Sequence, residues 1–169
     1  MKDDARRRSA FEKSVRENAA MVARIAASYE RRPALQDELV QDAFAALWKA
    51  MPRFQEKSSV KTYVARITHN VCISHVRRET KTPMTTDLNA EIIDKGADPE
   101  ADAALARETN RLMEAVRALP FSLRQVVTLH LEDFTDREIA EALDLSVGAV
   151  AVRLSRARSK LKVQMGAVS

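Results

Sequence analysis

Between Ser146 and Lys162 the chain carries Arg153, Arg156, Arg158, Lys160 and Lys162 and no acidic residue. Solvated helices ordinarily mix the two signs in i,i+4 pairs, as Arg137 and Glu141 do just upstream. A run of one sign suits phosphate: it releases counterions from a nucleic-acid backbone, and the arginine fork also matches the edge of guanine. A merely solvated basic helix is the plainer use of such a run. A second set is sparser. Lys61, Arg66, Arg77 and Arg78 are interleaved with Tyr63, Asn70 and Ser74, and single-stranded DNA is held by cations that track phosphates together with planar groups that cup bases. Tyr63 serves equally well as a core aromatic, and Arg77 with Arg78 as cations at a helix C-terminus. A third set, Asp37, Glu38, Gln41 and Asp42, forms an acidic and polar strip that suits a basic protein surface. The helix dipole favours the same residues in any first turn.

Catalysis is a poorer fit. There is no glycine-rich phosphate loop, nucleophile elbow or HExxH motif. His69, Cys72 and His75 invite a metal, but steps of three on one helix send the two histidines about 120° apart. One ion could not be closed without a partner helix, so no zinc or redox site is expected, and no cofactor is implied.

These residues need helices to position them. Three glycines in 169 residues and 5% aromatics argue against a sheet protein. The net charge of +4 is compatible with nucleic acid without proving it. A lone cysteine, Cys72, excludes an internal disulfide and fits a reducing cytoplasm. No apolar stretch follows the charged residues Met1 to Arg8, and no window approaches ~20 apolar residues, so the expectation is a soluble cytoplasmic protein without membrane insertion.

Phe11, Val15, Met21, Val22, Ile25 and Tyr29 recur at helical spacing until Arg31-Arg32-Pro33. A second helix carries Leu39, Val40, Ala43, Phe44, Leu47, Trp48 and Met51 before Pro52 ends it, with Trp48 read as core more than contact. A third follows Ser58-Ser59, with Val60, Tyr63, Val64, Ile67 and Val71 inward, and runs out near Arg77-Arg78. From Thr80 to Asp102 breakers and acids predominate, which reads as a flexible acidic linker. Beyond it Leu105, Leu112, Val116 and Leu119 precede Pro120. Thr135 with Glu138 has the form of a capping box, Ile139, Ala140 and Leu143 face inward, Leu145 fills the turn, and Ser146 caps a last helix. That unit is a helix-turn-helix, which lays its second helix in the major groove.

The predicted fold is all-α, with two small helical domains. A three- to four-helix bundle covers residues 8–80, a flexible linker 81–103, and a helix-turn-helix domain 104–165.

Asp37-Glu38-Leu39-Val40-Gln41-Asp42-Ala43-Phe44 with Leu47-Trp48 resembles the polymerase-binding helix of sigma factors. Ser58 through Asn70, continuing to Arg77-Arg78, is similar to their promoter-melting segment, and Leu119-Pro120 through Arg158 to their upstream-element helix-turn-helix. The blocks stand in family order. With no further domain in view, they resemble the extracytoplasmic-function group of the sigma-70 family. The resemblance implies a non-catalytic initiation subunit of RNA polymerase. Asp37, Glu38, Leu39, Gln41, Asp42 and Trp48 would meet the clamp helices of the largest subunit, and the flap of the second subunit is a further implied contact. Phe54, Lys57, Ser58, Lys61, Tyr63, Arg66, Asn70, Ser74, Arg77 and Arg78 would hold the melted −10 element, with the loop Arg53 to Ser58 taking a flipped base. Arg137, Ser146, Ala149, Val152, Arg153, Ser155, Arg156, Arg158 and Lys160 would read the −35 duplex. Promoter DNA and an anti-sigma factor are the other partners implied, and the linker would thread toward the active centre or serve as a plain spacer. Ala151 and Val152 depart from the family's more polar recognition helix, so readout there rests on Arg153, Ser155 and Arg156, with Val152 against a thymine methyl. The rival is a helix-turn-helix regulator that acts without polymerase. A sigma mimic that binds an anti-sigma factor usually brings a receiver domain, which is not seen here.

Overall fold

The computed structural model describes residues 1–81 and 101–166. Among the described residues seven helices run in order: α1 (Lys2–Tyr29), α2 (Pro33–Ala50), α3 (Val60–Lys81), α4 (Ala101–Arg117), α5 (Phe121–His130), α6 (Asp136–Leu143) and α7 (Val147–Gly166). A single 3-10 turn, Met51–Arg53, follows α2, and no strand occurs among the described residues. Most of the expected linker lies outside the described residues. Helix α4 opens at Ala101, inside the stretch read from sequence as linker.

Helices α1, α2 and α3 pack on one another as a three-helix bundle. Its apolar centre takes Val22, Ile25 and Ala26 from α1, Leu39, Ala43 and Leu47 from α2, and Val64, Ala65 and Cys72 from α3. Spacings of three and four from Val22 and along α2, and of seven and eight to Cys72 on α3, put each trio on one face, as the helical period demands. Pro33 opens α2 at a position where its missing N–H costs nothing. Helix α1 begins well before the first apolar repeat. Asp3 and Asp4 in its first turn complement the helix dipole. Arg7 then anchors it, donating to the Trp48 carbonyl at 2.9 Å with its guanidinium 4.3 Å from the indole centroid, while Phe11 meets the same ring edge-on at 5.1 Å.

Helices α4 to α7 form the second bundle, centred on Val116, Leu119, Leu123, Val126, Leu129, Ile139, Val150, Leu154 and Ala157. The expected capping box is present at α6: the Thr135 N–H donates to Glu138 Oε2 at 2.8 Å, and the Glu138 N–H donates to Thr135 Oγ1 at 3.2 Å. Thr135→Ala removes one half of that exchange. The expected cost is about 1 kcal/mol of unfolding free energy, read by urea denaturation. The turn closes with Asp144 in the left-handed region at φ 54°, and the Ala140 carbonyl accepts from both Asp144 N–H and Leu145 N–H. Aspartate tolerates this conformation where glycine is usual. The second bundle rests on the first through α4, α5 and α6.

Candidate nucleic-acid interface

The helix-turn-helix positions α7 through its caps and its buried face. Ser146 Oγ accepts from the Ala149 N–H at 3.1 Å, and Val150, Leu154 and Ala157 turn inward. At ~100° per residue the opposite line carries Gly148, Val152, Ser155, Arg156 and Ser159, all exposed, with Val152 at 49%. This line is small and uncharged except for Arg156. Arg153 and Arg158 fall on opposite flanks, and Arg153 is only half-exposed. The cations that run together in sequence are thus split by the helical period to either side of this line. A helix of this form seats small side chains against base edges while the flanking cations reach the two phosphate walls. Val152 remains aimed outward, as contact with a thymine methyl requires. Arg137 is exposed on α6 beside this surface.

A second exposed strip lies on α3. Arg66, Asn70, Ser74, Arg77 and Arg78 share one side of the helix and are all exposed. Tyr63 stands at the head of this strip, half-buried, with its hydroxyl donating to the Ala50 carbonyl at 3.0 Å and its ring 4.7 Å from that of Phe54. The two aromatics thus brace the Arg53 to Ser58 loop, where Glu56 adopts φ 55° and Lys57 is exposed and Ser58 half-exposed. Lys61 does not join the strip. It projects from the other side of α3, where its ammonium donates to the Glu132 carbonyl at 2.9 Å and stands 4.6 Å from the Phe134 ring centroid. The expectation that groups Lys61 with the residues of this strip is therefore corrected: two residues before Tyr63 means ~200° of rotation around the helix.

The acidic strip of α2 is exposed at Asp37, Glu38, Gln41 and Asp42. Leu39, placed with them in the sequence reading, is 2% exposed and belongs to the core, because its position faces α1 and α3. Trp48 is half-buried against Arg7 and Phe11, where core packing claims it. An open cavity of about 410 Å³ between α2 and α3 is lined by Asp42, Ala46, Ala50, Ile67, Asn70, Val71, Ser74 and Arg78, so the acidic strip and the α3 strip meet along one groove.

Behind the α3 strip lies a polar core that the sequence did not reveal. His69 bonds to the Tyr29 hydroxyl at 3.1 Å through Nδ1, and burial holds its pKa down to about 4. His75 Nε2 meets Glu30 Oε2 at 2.7 Å. Cys72, between them in sequence, is fully buried, and burial pushes its thiol up to about 12. The two histidines thus serve different partners, as their divergence on the helix requires. Cys72 should resist alkylation by iodoacetamide at pH 8 in the folded protein and react only in denaturant, as read by intact mass. Rapid labelling of the native chain would contradict its burial.

The comparisons with known proteins fall on this geometry. The model for Sigma-70 region 2 matches residues 14–82, the α1–α3 bundle, and that for Sigma-70, region 4 matches residues 109–161, the bundle of the helix-turn-helix. The probable RNA polymerase sigma factor RfaY of Xanthomonas campestris pv. campestris is 29% identical over 149 residues, 85% of this chain and 37% of that protein. The chain therefore spans well under half the length of that relative. The extracytoplasmic-function RNA polymerase sigma-E factor of Escherichia coli K12 is 29% identical over 140 residues, 75% of this chain and 73% of that one. Among solved structures, CnrH in complex with the cytosolic domain of CnrY superposes with a TM-score of 0.72 at 26% identity, covering 96% of this chain and 91% of its own. Two sigma-70 regions matched in order over more than half of the chain, each on a helical bundle, establish that this chain belongs to the sigma-70 family, in its extracytoplasmic-function group.

Proposed function

We propose that this protein is a sigma factor that directs core RNA polymerase to specific promoters, reading a −35 duplex with α7 and holding the melted −10 strand along α3. One observation supports the reading: a single chain exposes an acid-free helix and, apart from it, a cation–amide strip on α3 with an acidic strip beside it, which suit duplex DNA, a single strand and a basic protein surface in turn. An ordinary helix-turn-helix regulator has use for the first of these only. Asp37, Glu38, Gln41 and Asp42 would dock on the basic clamp helices of the largest polymerase subunit, and the second bundle on the flap of the second subunit. Phe54, Lys57, Ser58 and Tyr63 would frame the pocket for a flipped base, with Arg66, Asn70, Ser74, Arg77 and Arg78 along the following strand. At the −35 element Ser155 and Arg156 would read base edges and Val152 a methyl group, while Arg137, Ser146, Ala149, Arg153, Arg158 and Lys160 would border the phosphates.

Melting of this kind involves no hydrolysis by the subunit: binding energy for the open strand replaces pairing energy. The protein would work in the cytoplasm beside polymerase, and none of its described helices is long and apolar enough to cross a membrane. An anti-sigma factor is the further partner we assign, supported by the likeness to CnrH, which was solved in complex with the cytosolic domain of CnrY. Permanganate probing of a target promoter tests the strand-holding role. Thymines around −10 should become reactive only when core polymerase and this protein are both present. Specific duplex binding by the protein alone, with no thymine opened on adding core, would favour the regulator instead.

A further inference from the structure

Gly148 sits in the first turn of α7, on the outward line that continues through Val152, Ser155 and Ser159. A glycine within a helix costs stability relative to alanine, because more backbone freedom is lost on folding. Folds accept that cost where the chain needs a positive φ or where another group comes too close for a side chain. Neither holds at Gly148. Its φ is not positive, and among the described residues nothing beyond its chain neighbours and its own helical turn stands within 4 Å of where a Cβ would lie. Gly166 has the same room, but it ends α7, where glycine is common.

The surroundings of Gly148 point outward as well. Val147 and Val152 are each 49% exposed, Ala151 is exposed, and no charged residue stands between Ser146 and Arg153. The Ser146 cap holds this turn in place through the Ala149 N–H. The first turns of α7 therefore present main chain and methyl groups, and the cations begin only beyond them. A helix that enters the major groove brings its N-terminal residues to the base edges. An end stripped of long side chains lets the helix axis come closer to those edges than a full-sized residue allows.

We propose that Gly148 sets the depth at which α7 enters the −35 duplex, its missing side chain marking where main chain lies directly against the base edges. The proposal rests on the sigma-factor reading and adds to it a specificity-determining residue that has no side chain of its own. Depth matters because a hydrogen bond weakens once donor and acceptor part beyond about 3.2 Å. A helix held off by a methyl group loses reach for Ser155 and Arg156, while the flanking cations keep their phosphates on long, flexible arms. Gly148 thus governs discrimination between sequences more than general affinity.

Gly148→Ala and Gly148→Leu in the full chain, each assembled with core polymerase, test this. Alanine should raise the melting temperature of the free protein by about 1–4 °C, since it relieves the backbone cost without meeting a neighbour. Run-off transcription from the target promoter should nevertheless fall about fivefold or more with alanine, and further with leucine. On a template with a scrambled −35 element all three proteins should initiate equally weakly. Promoter binding by the three holoenzymes should share one salt slope, because no phosphate contact is lost. Variants that initiate as well as the unaltered protein overturn the proposal, and so does an equal fractional loss on the scrambled template. An alanine variant that melts lower also overturns it, for the glycine would then serve the fold. If the unaltered chain fails to initiate with core, the sigma-factor reading falls. The three proteins are then compared on a duplex that the chain itself selects, where equal affinity overturns the close approach.

Discussion

Glu30→Ala should lower the unfolding free energy by about 1–3 kcal/mol, the range for leaving buried hydrogen-bonding groups without their partner. Glu30 sits where α1 ends and α2 begins, 6% exposed. Its carboxylate accepts from the Arg32 N–H at 2.8 Å, from the Arg32 guanidinium at 2.9 Å through each of two nitrogens, and from His75 at 2.7 Å. Its carbonyl accepts from Gln36 at 2.7 Å, and Arg32 reaches on to Glu79 at 2.8 Å. Burial by itself would favour the neutral acid, but the hydrogen bonds from Arg32 and His75 outweigh it and hold the pKa near 2, below the ordinary 4.5. The sign follows from that direction. The carboxylate stabilises the fold fully above pH ~4.5, and its share is lost as the pH falls toward about 2. Urea denaturation should therefore show a large gap between wild type and variant at pH 7 and a smaller one at pH 3. Equal gaps at both values would mean that the carboxylate charge is not the stabilising agent. The network also fixes the end of α3, so the variant should lose hold of the strip that includes Arg77 and Arg78.

The second large effect belongs to α7. Arg156→Ala should cost about 1–3 kcal/mol at the preferred −35 element, roughly five- to 150-fold, and flatten discrimination at one base position. Arg156 is the cation nearest the outward line of the helix, whereas Arg158 and Lys160 lie to its sides. Removing either of these should weaken all promoters alike and reduce the salt dependence by about one phosphate contact. Run-off assays on a panel of altered −35 elements separate the two patterns. Equal initiation from every altered element by wild type and Arg156→Ala would remove Arg156 from the readout.

How much of this was legible in the sequence depended on the range of the interactions involved. Thr135 with Glu138, and Ser146 with its helix, announce themselves because a cap is made within three residues. The helix-turn-helix and its boundaries were readable for that reason. The first bundle showed through its apolar period, but the start of α1 did not, since Arg7 is held by Trp48, 41 residues away. Glu30 and His75 look like ordinary polar residues until folding brings them together across 45 positions. The divergence of His69 and His75 was readable from helix geometry, although their partners Tyr29 and Glu30 were not. The candidate sites followed the same rule. The cations of α7 and the α3 strip were found by residue type, while Leu39 and Lys61 were assigned to surfaces they do not share, because a block matched along the chain ignores which way each side chain turns. The fastening of one bundle to the other has no local signal at all.

Run-off transcription with purified core polymerase is the most direct test. On a template carrying a target promoter, core alone should give only nonspecific transcripts, and adding this protein should produce one transcript with a fixed start downstream of the −10 element. If core polymerase neither binds the chain nor shifts its start sites on any template bearing a sequence that the helix-turn-helix selects, this protein is not its promoter-reading subunit.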